Sequence, residues 1–199
     1  MDLPSSPRRA VSPVRGFVAS LLALLALMVG SLPAAAEHPA QYMQRVSNEL
    51  IAATRSANPL AIATVLRRHA DVNWLGTSSL GSYASKMPLA ERPNYINGMV
   101  RFISNYTAQQ APKYPVSRAT VLGASQEDQT GVYVDTRVEL RSGESYDVRW
   151  LIVRRGAEYK VRDAQVVGFW LSPFLKNLFE NYITENGGNP KALVVALNR

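Results

Sequence analysis

The apolar residues of this chain keep helical spacing through its first half and change to alternation through its second. That single change of period points to an α+β fold with helices and strands segregated along the sequence, not interleaved as βαβ units. Tyr42, Val46, Leu50 and Ala53 mark one face of a first helix, which should close near Asn58-Pro59 because the residue before a proline is pushed out of the α region. A short helix from Leu60 to about His69 follows. Between Met87 and about Ala108, Tyr95, Met99, Phe102 and Tyr106 form a stripe flanked by Ile96, Val100 and Ile103. Pro93 lies inside this segment, so the helix either kinks or begins there.

Four strands come next. Val116 to Leu122 is the first; in the second, Val132, Val134, Thr136, Val138 and Leu140 alternate with Tyr133, Asp135, Arg137 and Glu139. Tyr146, Val148, Trp150 and Ile152 share one face of the third, and Tyr159 to Val167 is the fourth. The turns Arg141-Ser142-Gly143-Glu144 and Arg155-Gly156-Ala157 are too short for a crossover, so the strands form an antiparallel meander with one face covered. Ser172-Pro173 reads as a cap followed by proline at the first helical position. It opens a helix that Asn186-Gly187-Gly188 ends, and Asn189-Pro190 repeats the signal for a last helix with Leu193, Val194 and Leu197.

The N-terminus has a different character. Arg8, Arg9 and Arg15 precede an apolar run from Phe17 to Val29, then Gly30, Ser31, Leu32, Pro33 and Ala34-Ala35-Ala36. The run is shorter than the roughly 20 residues a membrane-spanning helix needs, and small residues of the Ala-x-Ala kind follow at once. Residues 1–36 therefore read as a secretory signal peptide cleaved after Ala36, leaving residues 37–199 as one exported domain. A domain of that length buries a core without staples, which fits the absence of cysteine. Without cysteine there is no thiol chemistry and no zinc-thiolate site. The formal net charge is +7, but basic and acidic residues are interspersed, and no Lys/Arg run makes a nucleic-acid footprint.

Catalytic signals are sparse. The two histidines are His38, close behind the cleavage site, and His69, where Arg67-Arg68-His69 complements a helix C-terminus. They make no metal-ligand set, and no cofactor is expected. Ser78 and Ser79 lie between Gly76 and Gly81 without the spacing or the preceding strand of a nucleophile elbow. On strand parity Asp163 points to the covered face, either as a general base or, more commonly for such a residue, as a structural hydrogen-bond partner. What remains is apolar: the Tyr95 to Tyr106 stripe, the strand residues Val134, Val148, Trp150 and Ile152, and Phe169, Trp170 and Phe174 could converge on one volume. From pattern alone this is a core more readily than a ligand cavity.

The order of certain motifs changes that balance. Leu80-Gly81-Ser82-Tyr83, Leu89-Ala90-Glu91-Arg92, Phe102 and Tyr106 are followed by Val134-Asp135-Thr136, Tyr146-Asp147-Val148-Arg149-Trp150 and Tyr159-Lys160-Val161-Arg162-Asp163. Val167-Gly168-Phe169, Phe179, Gly187-Gly188 and Leu193 complete the set. From about Val72 to Leu197 this series resembles the MlaC-type periplasmic lipid-shuttle proteins, also called toluene-tolerance auxiliary proteins of ABC transporters. The resemblance implies an NTF2-like curved antiparallel sheet wrapped by helices, with an apolar cavity between them that takes phospholipid acyl chains. It also implies a non-enzymatic periplasmic carrier whose partners are phospholipid, an inner-membrane ABC transporter complex and an outer-membrane lipoprotein complex; a monomer suits a shuttle that must diffuse. Tyr83, Tyr106 and Phe169 fall on pocket positions of the family, and the face argument adds Met99, Phe102, Val148 and Trp150. Three rivals remain: a carrier of another hydrophobe such as a hopanoid, an NTF2-like enzyme with Asp163 or Asp135 as general base, and an interaction module with a filled core.

Overall fold

The structure, a computed structural model, describes residues 37–199; the segment read as a signal peptide, with its cleavage site, lies outside the described residues. Each early helix starts at a cap the sequence supplies. Helix α1 (Pro39–Arg55) begins where the His38 ring accepts the Ala40 N–H at 3.3 Å, so His38 is a cap residue. Helix α2 (Pro59–His69) begins where the Asn58 side chain accepts the Leu60 N–H at 2.9 Å.

Helix α3 (Val72–Ser79) is not foreshadowed by the hydrophobic spacing, which is sparse and broken by Gly76. Asp71 caps it, and Gly76 serves a packing need: a Cβ there would sit 3.1 Å from Ile96 of the next helix. After 3-10 turns at Gly81–Tyr83 and Leu89–Glu91, helix α4 (Arg92–Gln110) starts with Pro93 in its first turn, which decides between kink and start. Among the described residues no helix is long and apolar enough to cross a membrane.

Strands β1 (Val116–Ala124), β2 (Val132–Leu140), β3 (Ser145–Arg155), β4 (Glu158–Val166) and the short β5 (Phe169–Trp170) form one antiparallel sheet in sequence order. Register shifts in β1 and between β3 and β4 bend it into an open, curved surface. The outer face carries the cross-strand pairs Arg137–Asp147 and Arg149–Asp135, each 2.7 Å, and Arg118–Glu139 at 2.8 Å. Exposed pairs of this kind add little to stability, being screened by solvent, and they mark the solvated side. The free edge of β1 is closed by one side chain: the Gln44 amide donates to Ala119 O at 3.0 Å and accepts from Val121 N at 3.2 Å. This clamp lays α1 across the inner face.

Helices α5 (Leu171–Glu185) and α6 (Pro190–Leu197) complete the chain. The start of α5 departs from the sequence reading. Ser172 lies inside the first turn instead of capping it, because Asp163 on β4 takes over that task. The Asp163 Oδ1 accepts the backbone N–H of Ser172 at 3.0 Å and that of Ala164 at 2.8 Å, and its Oδ2 accepts the Ser172 hydroxyl.

The apolar residues do not converge on one volume as the sequence suggested. Tyr95, Met99, Val100, Leu175, Phe179 and Ile183 form a core among helices α3 to α6. A separate core of Tyr42, Met43 and Val46 from α1 meets Val132, Val134, Ile152 and Tyr159 of the sheet. The reason is length along a helix: residues seven apart share a face but lie ~10 Å apart on the axis. One stripe on α4 therefore meets the helical core at Met99 and leaves it by Tyr106.

Candidate functional site

Where α1 and the sheet meet at their lower ends, Val132, Val134 and Ile152 are fully covered. Toward the β2–β3 turn the inner face carries the small side chains Ala119, Thr136, Val138 and Val148, with Ile51 of α1, Tyr146 and Trp150 packed against them. The space left is a cavity of about 860 Å³, near the top of the ~300–1,000 Å³ range of small-molecule sites.

Helix α1 supplies Ser47, Leu50, Ile51 and Thr54 to its wall. The end of α4 and its link to β1 supply Tyr106, Gln110, Pro112 and Tyr114, and the sheet supplies Val116, Leu140, Tyr146 and Trp150 as well as the four small residues above. The rim carries exposed groups: Tyr106 is 58% exposed, and Arg55, Arg141 and Glu144 stand in solvent. Inside, the chemistry is apolar. Burial pushes the Tyr146 phenol above its ordinary range, so it stays neutral at any physiological pH. The Trp150 indole N–H donates to Thr136 Oγ1 at 3.1 Å, and the Ser47 hydroxyl has no hydrogen-bond partner among the described residues.

Of the residues expected to bind ligand, the structure brings Tyr106, Val148 and Trp150 together on this cavity. It does not bring the others there. Met99 is fully buried in the helical core, where Phe102 also packs, its ring 5.8 Å from that of Phe179. Tyr83 packs on the outside of that core and hydrogen-bonds Thr184 Oγ1 at 2.9 Å. Phe169 is 77% exposed on β5, beside Val166, which does line the cavity. The sequence reading passed over Tyr146, Thr136 and Val138, although the alternation of β2 and β3 places them on the same faces as Val134 and Val148. It also passed over Leu50 and Ile51 of α1, which carried a signal only as a helix face.

The two carboxylates weighed as a general base are both committed elsewhere. Asp135 is paired with Arg149 on the outer face, and Asp163 is buried against the start of α5; neither lines the cavity. His69 lies with Arg67 and Arg68 in the last turn of α2, at the helix C-terminus as expected; it is buried and meets Glu49 Oε2 at 2.9 Å through Nε2. Among the described residues no group of three or more potential metal ligands exists.

A family model described as MlaC protein matches residues 41–199. The chain belongs to the MlaC family. A solved structure of a phospholipid-binding protein from Ralstonia solanacearum, in complex with a phospholipid, shares the fold with a TM-score of 0.63. The two sequences are 19% identical, over 81% of this chain and 96% of the other. No curated protein matches this sequence. Membership of the MlaC family and the shared fold agree with the α+β, NTF2-like architecture of sheet, helices and intervening cavity.

Proposed function

We propose that this MlaC-family protein is a periplasmic, non-enzymatic phospholipid carrier that holds acyl chains in the cavity between α1, the end of α4 and the sheet. The observation that carries the reading is a cavity of about 860 Å³ walled by aliphatic and aromatic side chains, with its charged groups confined to the rim. Family membership supports it, as does the phospholipid bound by the Ralstonia protein of the same fold. In this reading Tyr106, Val148 and Trp150 contact the chains, joined by Tyr146, Leu50 and Ile51. Tyr83, Met99, Phe102 and Phe169 act at a distance, through the helical core or beside the mouth.

Each methylene withdrawn from water contributes roughly 0.8 kcal/mol, so a lipid with two chains does not leave into solvent on a useful timescale. Release then requires docking on a partner that offers another apolar site. Such partners are an inner-membrane ABC transporter complex and an outer-membrane lipoprotein complex, between which a monomer diffuses. The enzymatic rival loses the two bases weighed for it, because Asp163 is held by Ser172 and Ala164 and Asp135 by Arg149.

The test is native mass spectrometry of the protein recovered from a periplasm, followed by solvent extraction of what it carries. One diacyl phospholipid per chain is expected, and Val148→Trp, which fills the cavity, should come out empty. Protein that is lipid-free and refuses phospholipid from vesicles would overturn the reading, while a polycyclic lipid in place of phospholipid would change the cargo.

A further inference from the structure

Two hydroxyl groups face the apolar cavity with hydrogen-bonding capacity unused. Ser47 is 4% exposed, lines the cavity, and its Oγ has no partner among the described residues. Thr136 is fully buried and lines the same cavity; its Oγ1 accepts the Trp150 N–H at 3.1 Å, and no acceptor for its own proton is found among the described residues. The register sets Ser47 about one helical turn from the level of Thr136. Gln44 clamps α1 to Val121 of β1, Val121 pairs in register with Thr136, and Ser47 follows Gln44 by one helical turn on the same face.

An unpaired buried hydroxyl is costly, because the hydrogen bonds it gave up to water are not replaced. Alanine at position 47 would avoid that cost and favour the helix. The level of these groups is also informative. Ser47 precedes Arg55 at the rim by eight residues of helix, ~12 Å at 1.5 Å per residue. Thr136 precedes Leu140 by four residues of strand, ~13 Å at ~3.3 Å per residue. Along α1 and β2 the donors thus sit well below the charged groups of the rim, while across the sheet the half-exposed Val166 is level with Thr136 through Val148.

Building on the lipid-carrier reading, we infer that Ser47 and Thr136 form a polar subsite on the cavity wall that binds a neutral acceptor oxygen carried by the lipid itself. Two sources share that chemistry: a hydroxyl within an acyl chain, which suits the distance from the charged rim, and the carbonyl of a glycerol ester on a deeply seated lipid. The Trp150 N–H orients Thr136 by occupying one lone pair, leaving its O–H free to point at the ligand.

The full chain, recovered from a periplasm, would be offered mixed vesicles of three phosphatidylcholines: a saturated diester, the matching diether, and a diester with a mid-chain hydroxyl on one acyl group. Protein-bound lipid would then be extracted and quantified. The expected result is roughly fivefold enrichment of the hydroxylated lipid over the plain diester, the worth of one buried hydrogen bond. Enrichment of diester over diether by a similar factor would support the subsite and identify the ester carbonyl as its ligand. Either preference should vanish in Ser47→Ala, a substitution that mid-helix geometry tolerates, and weaken in Thr136→Val. Uptake of all three lipids in proportion to their supply, or a preference that survives in both variants, would overturn the subsite and leave the carrier reading standing. Refusal of all three would overturn both.

Discussion

The Asp163 carboxylate on β4 and the Ser172 backbone N–H on α5 meet at 3.0 Å, with the Ser172 hydroxyl donating to the other carboxylate oxygen. A buried acid, which in an open site would serve as a base, here ties the last strand of the meander to the helix that follows it. The carboxylate receives three donors and sits where removal leaves them without a partner. Asp163→Ala should therefore lower stability by about 2–4 kcal/mol, read from urea unfolding. Lipid carried per folded molecule should not change; a folded Asp163→Ala protein that had lost its cargo would place this acid in function after all.

Met99 and Val148 separate the two apolar volumes. Met99→Ala leaves a hole in the helical core and should cost about 2–5 kcal/mol without altering the cavity. Val148→Trp should cost about 1–3 kcal/mol from overpacking while excluding acyl chains. Unfolding midpoints and co-purified lipid measured on both variants would check the contrast. Loss of lipid from folded Met99→Ala would connect the two volumes.

Glu49 sets the acid side of the stability profile. Its carboxylate meets His69 Nε2 at 2.9 Å and the Arg68 guanidinium at 3.1 Å, and the His69 hydrogen bond is the main cause holding its pKa below the ordinary glutamate value. A folded-state pKa below the unfolded one makes the stabilisation fully present above the unfolded pKa. It is lost as pH falls through the folded value. Glu49→Gln should accordingly be less stable than the parent at neutral pH, and the two should converge toward the acid end. Urea midpoints across that range would reveal parallel curves if the contact contributes nothing.

Val167 occupies the left-handed region at φ 49°, followed by Gly168 at φ 84°, in the two-residue turn between β4 and β5. A β-branched side chain is poorly suited to that conformation, while Asn-Gly is the favoured pair for such a turn. Val167→Asn should raise stability by about 1 kcal/mol. A lowered midpoint in urea would mean that contacts of the Val167 side chain at the cavity rim outweigh the relief of strain.

Periodicity alone determined most of the elements: the segregated helices and strands, the meander order and the inward face of β2 all follow from spacing that neighbouring residues enforce on each other. The cap at Asn189-Pro190 was equally legible, as was Asn58-Pro59 as the stop of the first helix, since both act on backbone within a few residues. Ordered motifs pointed to the MlaC family, which the match over residues 41–199 bears out. Tertiary structure decided the rest. Helix α3 packs closely on α4 because Gly76 leaves room for Ile96, and Ser172 yields its capping role because Asp163 arrives from another element. The site was half legible for the same reason. Val148 and Trp150 lie on a strand face whose parity is local, whereas the fate of Met99 and Tyr106, one stripe on one helix, depends on which neighbour each end of α4 meets. A sequence specifies the direction a side chain takes from its own backbone; whether that direction ends in packed core or open cavity depends on elements distant in the chain.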